Sequence, residues 1–399
     1  MKRKRWDSLL RSSPEALRLI GRIAAEEGVR LYLVGGAVRD KIMGFETADI
    51  DLACEGDVAV FAKRLASELD VDFTLHRQFL TAALEGPDSE HIDIARTRRE
   101  TYPEPGKLPV VKPASITDDL HRRDFAINAI ALSLNPSSFG LTIDPLCGEE
   151  DIRNRIIRTL HSRSFTDDPT RIFRAVRYSE RLGFRIEKNT FRNLKKAVDT
   201  IADLTPERLF YELQCISKEK GEVRVKAIKK LETLGALSFL GHPLKPLSPV
   251  RLSRIPNDCT CEFLCLVFSH FPDKQISKLP AKKSCLETAR TIRQASSILA
   301  RLSGLLRPSS ITRFLSGFDK RGLKIITDIR DSRECEKIMK YRKKYSKVRI
   351  HTTGEDLKKM GIPQGPLYRR ILDDLVAAKL DGLIENRDQE LEFIKQKEY

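Results

Sequence analysis

The chain has 399 residues, of which 41% are hydrophobic and 32% charged, so it is long enough to form several domains. No apolar run approaches the roughly 20 residues that a membrane-spanning helix needs, and the basic start at Lys2 to Arg5 precedes no apolar stretch, which disfavours a signal peptide. The formal net charge of +16 predicts a polyanionic partner, most often a nucleic acid, although a positive balance also serves solubility alone.

The first third of the chain mixes strand and helix patterns, because short apolar or alternating runs are separated by turn residues. Its predicted elements are, in chain order, a strand at 31–34, a helix at 37–43 and strands at 49–54, 79–84 and 90–97, the last two flanking a turn at 85–89.

Helical spacing dominates after about residue 151. We predict helices at 166–182, 190–198 and 206–215, and a helical remainder apart from a loop-rich stretch at 240–260. The pattern shows no internal repeat. The predicted fold class is therefore an α/β N-terminal domain followed by an all-α, multi-domain extension.

Eight cysteines are spread along the chain, and the nearest approach to a cluster is Cys259, Cys261 and Cys265. Their spacing is not C-x-x-C and has no second half downstream, so we predict reduced, buried thiols rather than a metal site. This usage is typical of a reducing cytoplasm, where we expect the protein to act.

Two aspartates on one predicted strand are the strongest chemical feature. Strand side chains alternate, so Asp49 and Asp51 share one face while Ile50 and Leu52 point into the core. Neighbouring carboxylates repel each other unless a divalent cation lies between them, and Mg²⁺ prefers oxygen ligands and bridges phosphates. A D-x-D pair alone is common, but here it follows a Gly-Gly turn and a predicted helix.

The glycines and a third carboxylate extend this pattern. Gly35 and Gly36 lack a Cβ, so the backbone there can approach a triphosphate at a helix N-terminus. Asp93 alternates with Ile92 and Ile94, and we expect it to complete the metal site or to accept the proton of an attacking hydroxyl.

Five ordered motifs occur between Leu31 and Glu212. They are Gly35-Gly-Ala-Val-Arg-Asp40 with Asp49-Ile-Asp51, Arg122-Arg-Asp-Phe-Ala-Ile-Asn-Ala129, Asp144-Pro-Leu-Cys-Gly148, Asp167-Asp-Pro-Thr-Arg171 and Glu207-Arg208. At these residues the chain resembles the class II tRNA nucleotidyltransferases and bacterial poly(A) polymerases, within the polymerase-β-like nucleotidyltransferases. The segment 354–382 also looks like the tail of bacterial members. Asp167 departs from the more usual Glu, which keeps the charge but shortens its reach.

The resemblance implies a polymerase-β-like head at 1–140, a helical nucleotide-recognition neck at 141–218, a helical body at 219–300 and a basic helical tail at 301–399 that binds tRNA. It further implies template-independent addition of C and A to the tRNA 3′ end from CTP and ATP, with two Mg²⁺ ions held by Asp49 and Asp51. A-only addition, poly(A) synthesis and an inactive RNA-binding relative are the alternatives. No membrane and no protein partner are predicted.

The resemblance also implies that Asp168 and Arg171 read the incoming base, and side-chain chemistry agrees. The two residues are three apart and so neighbours on a helix face, with Pro169 suited to its first turn. Cytosine and adenine both present an exocyclic amino donor beside a ring-nitrogen acceptor, which match a carboxylate and a guanidinium. A surface ion pair is the alternative interpretation.

Further residues of these motifs are candidates for binding the nucleotide. We expect Arg174 and Arg177 to hold the triphosphate, and Arg122 and Arg123 to contact phosphate or ribose while Asp124 holds one of them in place. For Arg122 and Asp124 an interface salt bridge is the alternative. The full nucleotide-binding set comprises Gly35, Gly36, Arg39, Arg122, Asp124, Asn128, Asp168, Arg171, Arg174 and Arg177.

Two other segments carry predictions. The proline-rich stretch 97–115 is predicted to be a loop with little regular structure, and it resembles a flexible element of CCA-adding and A-adding enzymes that CC-only enzymes lack. Residues 340–349 hold six basic residues, two tyrosines and no acid, so Lys340, Arg342, Lys343 and Lys344 are expected to contact tRNA phosphates, with the tyrosines available for stacking. A solvated helix face is the alternative.

Overall fold

The computed structural model describes residues 13–45, 50–76, 80–85, 91–104, 109–244, 246–397 and 399. The chain divides into two compact units. The first comprises Met1–Arg208 with Lys230–Ala236, and the second comprises Leu209–Lys229 with Leu237–Tyr399.

All the strands of the described residues lie in the first unit. They are β1 (Arg30–Val34), β2 (Ile50–Glu55), β3 (Phe73–His76), β4 (Thr81–Glu85), β5 (His91–Arg96), β6 (Arg98–Thr101), β7 (Val110–Pro113), β8 (Ala131–Ser133), β9 (Thr142–Ile143), β10 (Ile156–Ile157) and β11 (Arg185–Ile186). Seven of these form a mixed sheet in the order β3-β4-β5-β2-β1-β8-β9. The pair β2 and β5 is parallel, and the other neighbouring pairs of this sheet are antiparallel.

Helices cover the sheet and continue to the end of the chain. Those of the first unit are α1 (Pro14–Glu26), α2 (Gly36–Ile42), α3 (Val58–Leu69), α4 (Ile116–His121), α5 (Gly148–Arg153), α6 (Ser164–Asp167), α7 (Thr170–Leu182) and α8 (Lys188–Ala197). Two helices, α9 (Pro206–Ser217) and α10 (Gly221–Thr233), contribute residues to both units. Those of the second unit are α11 (Pro249–Ser253), α12 (Thr260–Phe268), α13 (Asp273–Ile276), α14 (Lys283–Arg293), α15 (Ala295–Ser303), α16 (Pro308–Leu315), α17 (Lys320–Ile329), α18 (Glu334–Lys343), α19 (Gly354–Lys359), α20 (Pro366–Leu380) and α21 (Arg387–Gln396).

The second unit is built around apolar helix faces. One core cluster joins α15 to α18 through residues such as Leu302, Leu315 and Ile326, and another joins α19 to α21 through Leu357, Ile371 and Leu375. The predicted fold class, an α/β N-terminal domain followed by a helical extension, is confirmed. No helix in the described part of the chain is both long and apolar enough to cross a membrane.

The alternating pattern of the central strands is confirmed. Ile50 and Leu52 on β2 and Ile92 and Ile94 on β5 are buried, while the residues between them are more exposed. Hydrophobic burial on one face of each strand therefore turns the intervening aspartates to the other face.

Two predicted elements differ from the structure. The helix predicted at 166–182 is divided into α6 and α7, because Asp168 is extended and Pro169 lacks an N–H with which to continue the helix. The stretch 97–115, predicted to have little regular structure, contains the antiparallel hairpin β6–β7. Its residues 105–108 lie outside the described part.

Candidate active site

A cleft of about 420 Å³ opens on the first unit, beside the ends of the central strands. It is lined by Gly35, Gly36, Asp51, Arg98, Glu100, Tyr102, Pro109, Arg122, Arg123, Asp124, Asn128, Asp168, Arg171, Arg174 and Tyr178. Five arginines among these lining residues face four carboxylates, which is a composition suited to a bound polyanion and a cation together.

The carboxylate edge of the site is formed by two parallel strands. Asp51 on β2 pairs in register with Asp93 on β5, so the two carboxylates project from the same face of adjacent strands. Asp51 is half-buried and lines the cleft, whereas Asp93 is exposed. Asp49, predicted as the first metal ligand, lies outside the described residues.

Gly35 makes room in front of Asp51. Its φ of +70° favours glycine, and a Cβ placed there would lie 3.1 Å from Arg123 Nη1 and 3.5 Å from Asp51 Oδ2. Any side chain at this position would therefore narrow the space between a guanidinium and a carboxylate of the cleft. Helix α2 begins at the next residue, Gly36.

Asp119 holds the two arginines of the R-R-D-F motif. Its Oδ1 accepts from Arg122 Nε and Nη2 at 2.9 and 2.8 Å, and its Oδ2 accepts from Arg123 Nη2 at 2.9 Å. Burial by itself would raise the pKa of Asp119, which is 1% exposed, but the charges of Arg123 and Arg122 outweigh it and hold this pKa below its ordinary value. Asp119 is therefore an anion that orients both guanidinium groups.

The hairpin adds a second carboxylate to this group. Glu100 accepts hydrogen bonds from Arg98 Nη2, Arg122 Nη1 and the Tyr102 hydroxyl, each at 2.9 Å. Burial, followed by the charge of Glu100, raises the pKa of Tyr102, which keeps its hydroxyl protonated as a donor. Strand β6 is thereby linked to the arginines on the other side of the cleft.

The prediction that Asp124 holds Arg122 or Arg123 is wrong, because its cation is Arg174. The Asp124 carboxylate accepts from Arg174 Nη2 at 2.6 Å and from Asn128 Nδ2 at 3.1 Å. Burial opposes its ionisation, but Arg174 and the Asn128 amide hold the pKa of Asp124 below its ordinary value.

Asn128 extends this network towards helix α2. Its Oδ1 accepts from Arg39 Nη1 at 2.7 Å, and Arg39 also forms a 2.7 Å ion pair with Asp40. Arg39 is buried and does not line the cleft, so it contacts the site through Asn128. Gly148 packs behind the turn that carries Asn128, since a Cβ there would lie 2.2 Å from the Ala126 carbonyl oxygen.

Asp168 lies at the start of α7. Its Oδ1 accepts from Arg208 Nη2 at 2.7 Å and from the Thr170 hydroxyl at 2.7 Å. The cationic partner thus comes from the Glu207-Arg208 motif, and Asp168 Oδ1 also accepts from the backbone N–H of Thr170, the first residue of α7, at 3.2 Å.

Arg171 points into the same cleft from the first turn of α7. Its Nη1 donates to the Ser164 hydroxyl at 2.6 Å and its Nη2 to the Arg122 carbonyl at 2.7 Å. The side chain is only 4% exposed, which differs from the surface ion pair considered as the alternative. Within the described residues these contacts use two of the five guanidinium N–H groups.

Three arginines lie against the ring of Tyr178. The guanidinium carbons of Arg39, Arg174 and Arg177 each lie 5.4 Å from its ring centre, and Arg174 Nη2 donates to its hydroxyl at 3.3 Å. Arg174 lines the cleft, whereas Arg177 is buried behind it. Cation–π contacts therefore position these guanidinium groups before any ligand arrives.

The basic segment of the second unit is only partly as predicted. Lys340, Lys343 and Lys344 are exposed at the end of α18 and just beyond it. Tyr341, however, is 4% exposed in the core cluster of α15 to α18, and Tyr345 packs against that cluster. The suggested stacking role is wrong for Tyr341, since burial of its apolar ring stabilises the fold instead.

Sequence reasoning missed Asp119, Glu100, Tyr102 and Tyr178. The position of Asp119, three and four residues before the arginine pair, was the available signal, because such spacings bring side chains together on a helix. Nothing local in the sequence links Glu100 to Arg122, since their contact joins a strand to a helix end 22 residues away.

Comparison with known protein families identifies two parts of the chain. Residues 31–158 match the poly A polymerase head domain, which spans the sheet and most of the cleft. Residues 183–240 match a segment described as a probable RNA and SrmB-binding site of polymerase A.

Curated relatives match nearly the whole chain. An A-adding tRNA nucleotidyltransferase from Geobacter sulfurreducens is 34% identical over 96% of this chain, although the chain spans only 47% of that protein. An A-adding tRNA nucleotidyltransferase from Halalkalibacterium halodurans is 33% identical over 96% of this chain and 92% of its own length. A CCA-adding enzyme from Geobacillus stearothermophilus is 27% identical over 94% of this chain and 95% of its own length.

Solved structures agree with these relatives. A CCA-adding enzyme in its apo form II superposes with a TM-score of 0.81 at 30% identity, covering 98% of each chain. The Thermotoga maritima CCA-adding enzyme in complex with tRNA superposes with a TM-score of 0.73 at 28% identity, again covering 98% of each. With its ordered motifs, its head-domain fold and these relatives, the chain belongs to the class II tRNA nucleotidyltransferase and poly(A) polymerase family.

Proposed function

We propose that this protein transfers AMP from ATP to the 3′ end of tRNA, in a two-metal reaction that releases pyrophosphate. The observation that carries the proposal is the cleft in which Asp51 lies beside a group of oriented arginines, with Asp93 in register with Asp51 on the adjacent strand. In the reaction the 3′-oxygen of the tRNA bonds to the α-phosphorus of ATP, and the bond from that phosphorus to the oxygen bridging to the β-phosphate breaks.

The carboxylate edge fits a Mg²⁺ site. Asp51 and Asp93 offer oxygen ligands side by side, and the absence of a Cβ at Gly35 keeps the space before Asp51 Oδ2 open. Asp51, together with Asp49, would hold the two metal ions. When bound, Mg²⁺ lowers the pKa of the attacking hydroxyl and neutralises charge on the leaving pyrophosphate. Asp93, on the adjacent strand, is proposed to accept the hydroxyl proton.

The arginines supply the binding of the triphosphate. Arg122 and Arg123 are oriented by Asp119, and Arg174 is oriented by Asp124. Because each guanidinium already has an anionic partner that sets its direction, little side-chain entropy remains to be lost when phosphate oxygens bind. Asp168 and Arg171 line the same cleft and are proposed to read the Watson–Crick edge of the base.

The specificity proposed is addition of the terminal A. Two A-adding relatives are 33% and 34% identical over nearly the whole chain, against 27% for the CCA-adding relative, and this difference favours A addition. Complete CCA addition is the second candidate, favoured by the backbone similarity to CCA-adding enzymes at a TM-score of 0.81. The hairpin β6–β7 resembles the element that CC-only enzymes lack, which disfavours CC-only addition.

The decisive experiment uses three tRNA substrates, ending at the discriminator base, after C and after CC. Each is incubated with ATP, with CTP and with both, and the 3′ ends of the products are sequenced. A-only addition predicts extension of the CC-ended tRNA by one A and no use of CTP. Complete CCA from the discriminator-ended tRNA would support the second candidate, and long A tails would instead identify a poly(A) polymerase.

A further inference from the structure

Three cysteine thiols converge in the second unit, far along the chain from the carboxylates of the cleft. Cys261 and Cys265 are one turn apart on α12, and Cys285 lies in the first turn of α14. Their sulfur atoms all lie within 4.8 Å of one another. Among the described residues, this is the one group of three His, Cys, Asp or Glu side chains whose potential ligand atoms lie so close together.

The three cysteines that meet in the structure are not the three that lie nearest to one another in the sequence. Cys259 precedes α12 and is not one of the three, whereas Cys285, 20 residues after Cys265, supplies the third sulfur. Of the three cysteines considered from sequence, only Cys265 is buried, so the prediction of buried thiols is wrong for Cys259 and Cys261. The helical packing of α12 against α14 provides the second half that the sequence pattern lacks.

The sulfur geometry suits a thiophilic cation. In a tetrahedral zinc site with bonds of about 2.3 Å, the sulfur atoms of two thiolates lie roughly 3.8 Å apart. This distance is shorter than the 4.8 Å within which the three sulfur atoms of this cluster lie. Cys265 Sγ and Cys285 Sγ are 2.9 Å apart, so a small side-chain rotation would separate them enough to share an ion. Solvent reaches Cys261, which leaves a fourth position open to water.

A cation lies beside the cysteine cluster. A divalent ion with three thiolates carries a net charge of −1, and Arg321 Nη1 lies 3.6 Å from Cys261 Sγ. The Arg321 guanidinium on α17, whose Nε also lies 3.8 Å from Glu262 Oε1, would therefore offset part of the excess charge at the more exposed side of the cluster. Cys265 and Cys285, in contrast, are surrounded by buried residues of α12 and α14.

We propose that Cys261, Cys265 and Cys285 form a binding site for one soft metal ion of the Zn²⁺ class, which links α12 to α14. A disulfide between Cys265 and Cys285 is the competing chemistry for the close pair. It gives no role to the third thiol, whereas a metal site uses all three.

The test measures zinc binding by the full chain, kept reduced with a phosphine. Zn²⁺ is titrated in competition with a chromophoric chelator, with excess Mg²⁺ present and in an Asp51→Asn background, so that the carboxylate site does not contribute. We expect one equivalent to bind, and Co²⁺ in its place to give thiolate charge-transfer absorption. Zinc affinity should fall about 100-fold or more in Cys285→Ser and in Cys261→Ser.

Cys261→Ser changes an exposed residue, so we expect this variant to fold even if Cys285→Ser does not. Cys259→Ser, just before the same helix, is the matched control. Zinc should raise the melting temperature of the wild type and of Cys259→Ser but not that of Cys285→Ser. Equal zinc affinity in all variants would overturn the proposal. So would the absence of zinc uptake by the reduced protein, or a Cys265–Cys285 disulfide that mass spectrometry finds intact after reduction.

Discussion

The cleft of the first unit and the basic segment of the second unit use charge in opposite ways. In the first, Asp119, Asp124 and Arg171 are buried, and each contacts a group of opposite charge or a polar partner at under 3 Å. In the second, Lys340, Lys343 and Lys344 are left exposed at one helix end. Buried, paired charges fix geometry at a cost in desolvation, whereas exposed charges supply salt-dependent attraction without precise direction.

This contrast matches the two tasks in the proposed reaction. Positioning a triphosphate needs guanidinium groups that are already oriented, and the carboxylates of the first unit supply that orientation. Attracting a nucleic-acid backbone needs only a dense positive surface, and residues 320–349 carry twelve basic residues against four acids. The contrast also tells which substitutions should change catalysis, stability or RNA affinity.

Asp51→Asn should have the largest effect on activity. Loss of one carboxylate at the in-register edge should lower the rate of nucleotide addition roughly a thousandfold or more, because metal binding fails, while tRNA binding stays nearly unchanged. Single-turnover addition and tRNA binding measure the two effects. Asp199→Asn, an exposed aspartate of the same unit, is the control. Activity within tenfold of the wild type would contradict the metal assignment.

Arg224→Met tests a buried charge of the second unit, a cation that is 1% exposed. Arg224 donates to the carbonyl oxygens of Ser217 and Pro256 at 3.3 and 2.9 Å, and its guanidinium carbon lies 4.4 Å from the Phe263 ring centre. Its removal leaves buried carbonyls without donors, so the free energy of unfolding should fall by about 3 kcal/mol.

Urea unfolding measures this loss. Lys226→Met, two residues further along the same helix and exposed, should change the free energy of unfolding by less than about 0.5 kcal/mol. Similar losses in both variants would mean that burial does not distinguish the two cations.

Asp124→Asn should reduce stability in a pH-dependent way. The folded protein holds the pKa values of Asp119 and Asp124 below their ordinary values, so the unfolded chain takes up these protons first as pH falls. Their contribution is complete above the ordinary value of about 4 and is lost as pH falls through the lower folded values. The wild type should therefore lose stability below about pH 4.

At neutral pH the free energy of unfolding of the Asp124→Asn variant should be about 3 kcal/mol lower than that of the wild type, because Arg174 loses its anionic partner. Its stability should also fall less steeply between pH 5 and pH 3, measured by urea unfolding at each pH. A slope equal to that of the wild type would remove Asp124 from the groups that control acid unfolding.

Asp168→Ala should change nucleotide choice more than stability. If Asp168 accepts from the exocyclic amino group of the base, as proposed, its removal should lower discrimination against GTP and UTP by roughly tenfold or more. Comparison of kcat/KM for all four nucleotides on tRNAs ending in C and in CC tests this. Arg171→Ala should instead lower kcat/KM for ATP, and for CTP if CTP is used, without raising it for GTP or UTP. Unchanged preference in both variants would show that another group selects the base.

Replacing Lys340, Arg342, Lys343 and Lys344 together with alanine should have the smallest effect on stability and none on nucleotide KM. The KM for tRNA should rise and its salt dependence should flatten, by about one unit of slope for each phosphate that the variant no longer neutralises. Kinetics between low and moderate salt measure the slope. An unchanged slope would identify this segment as a solvated helix face.

Local patterns predicted much of the first unit. Apolar residues alternate with polar ones at Ile50 and Leu52 and again at Ile92 and Ile94. Such alternation indicates a half-buried strand whatever its pairing partner, so the two-residue period alone predicted β2 and β5. The hairpin β6–β7 was missed because its prolines and charges resemble a loop. The division into head, neck, body and tail at residues 140, 218 and 300 stays a prediction, as do the roles of the site residues.

What the sequence by itself determined is therefore the class of fold, the family and the chemistry of the motif residues, since each depends on neighbours a few positions apart. Tertiary structure decided the partners: Asp93 beside Asp51, Glu100 on Arg122, Arg174 on Asp124 and Cys285 beside Cys265. It also buried Tyr341, which the basic segment around it had placed at the surface. These contacts join residues distant in the chain, and packing of helices and strands, rather than any local period, brings them together.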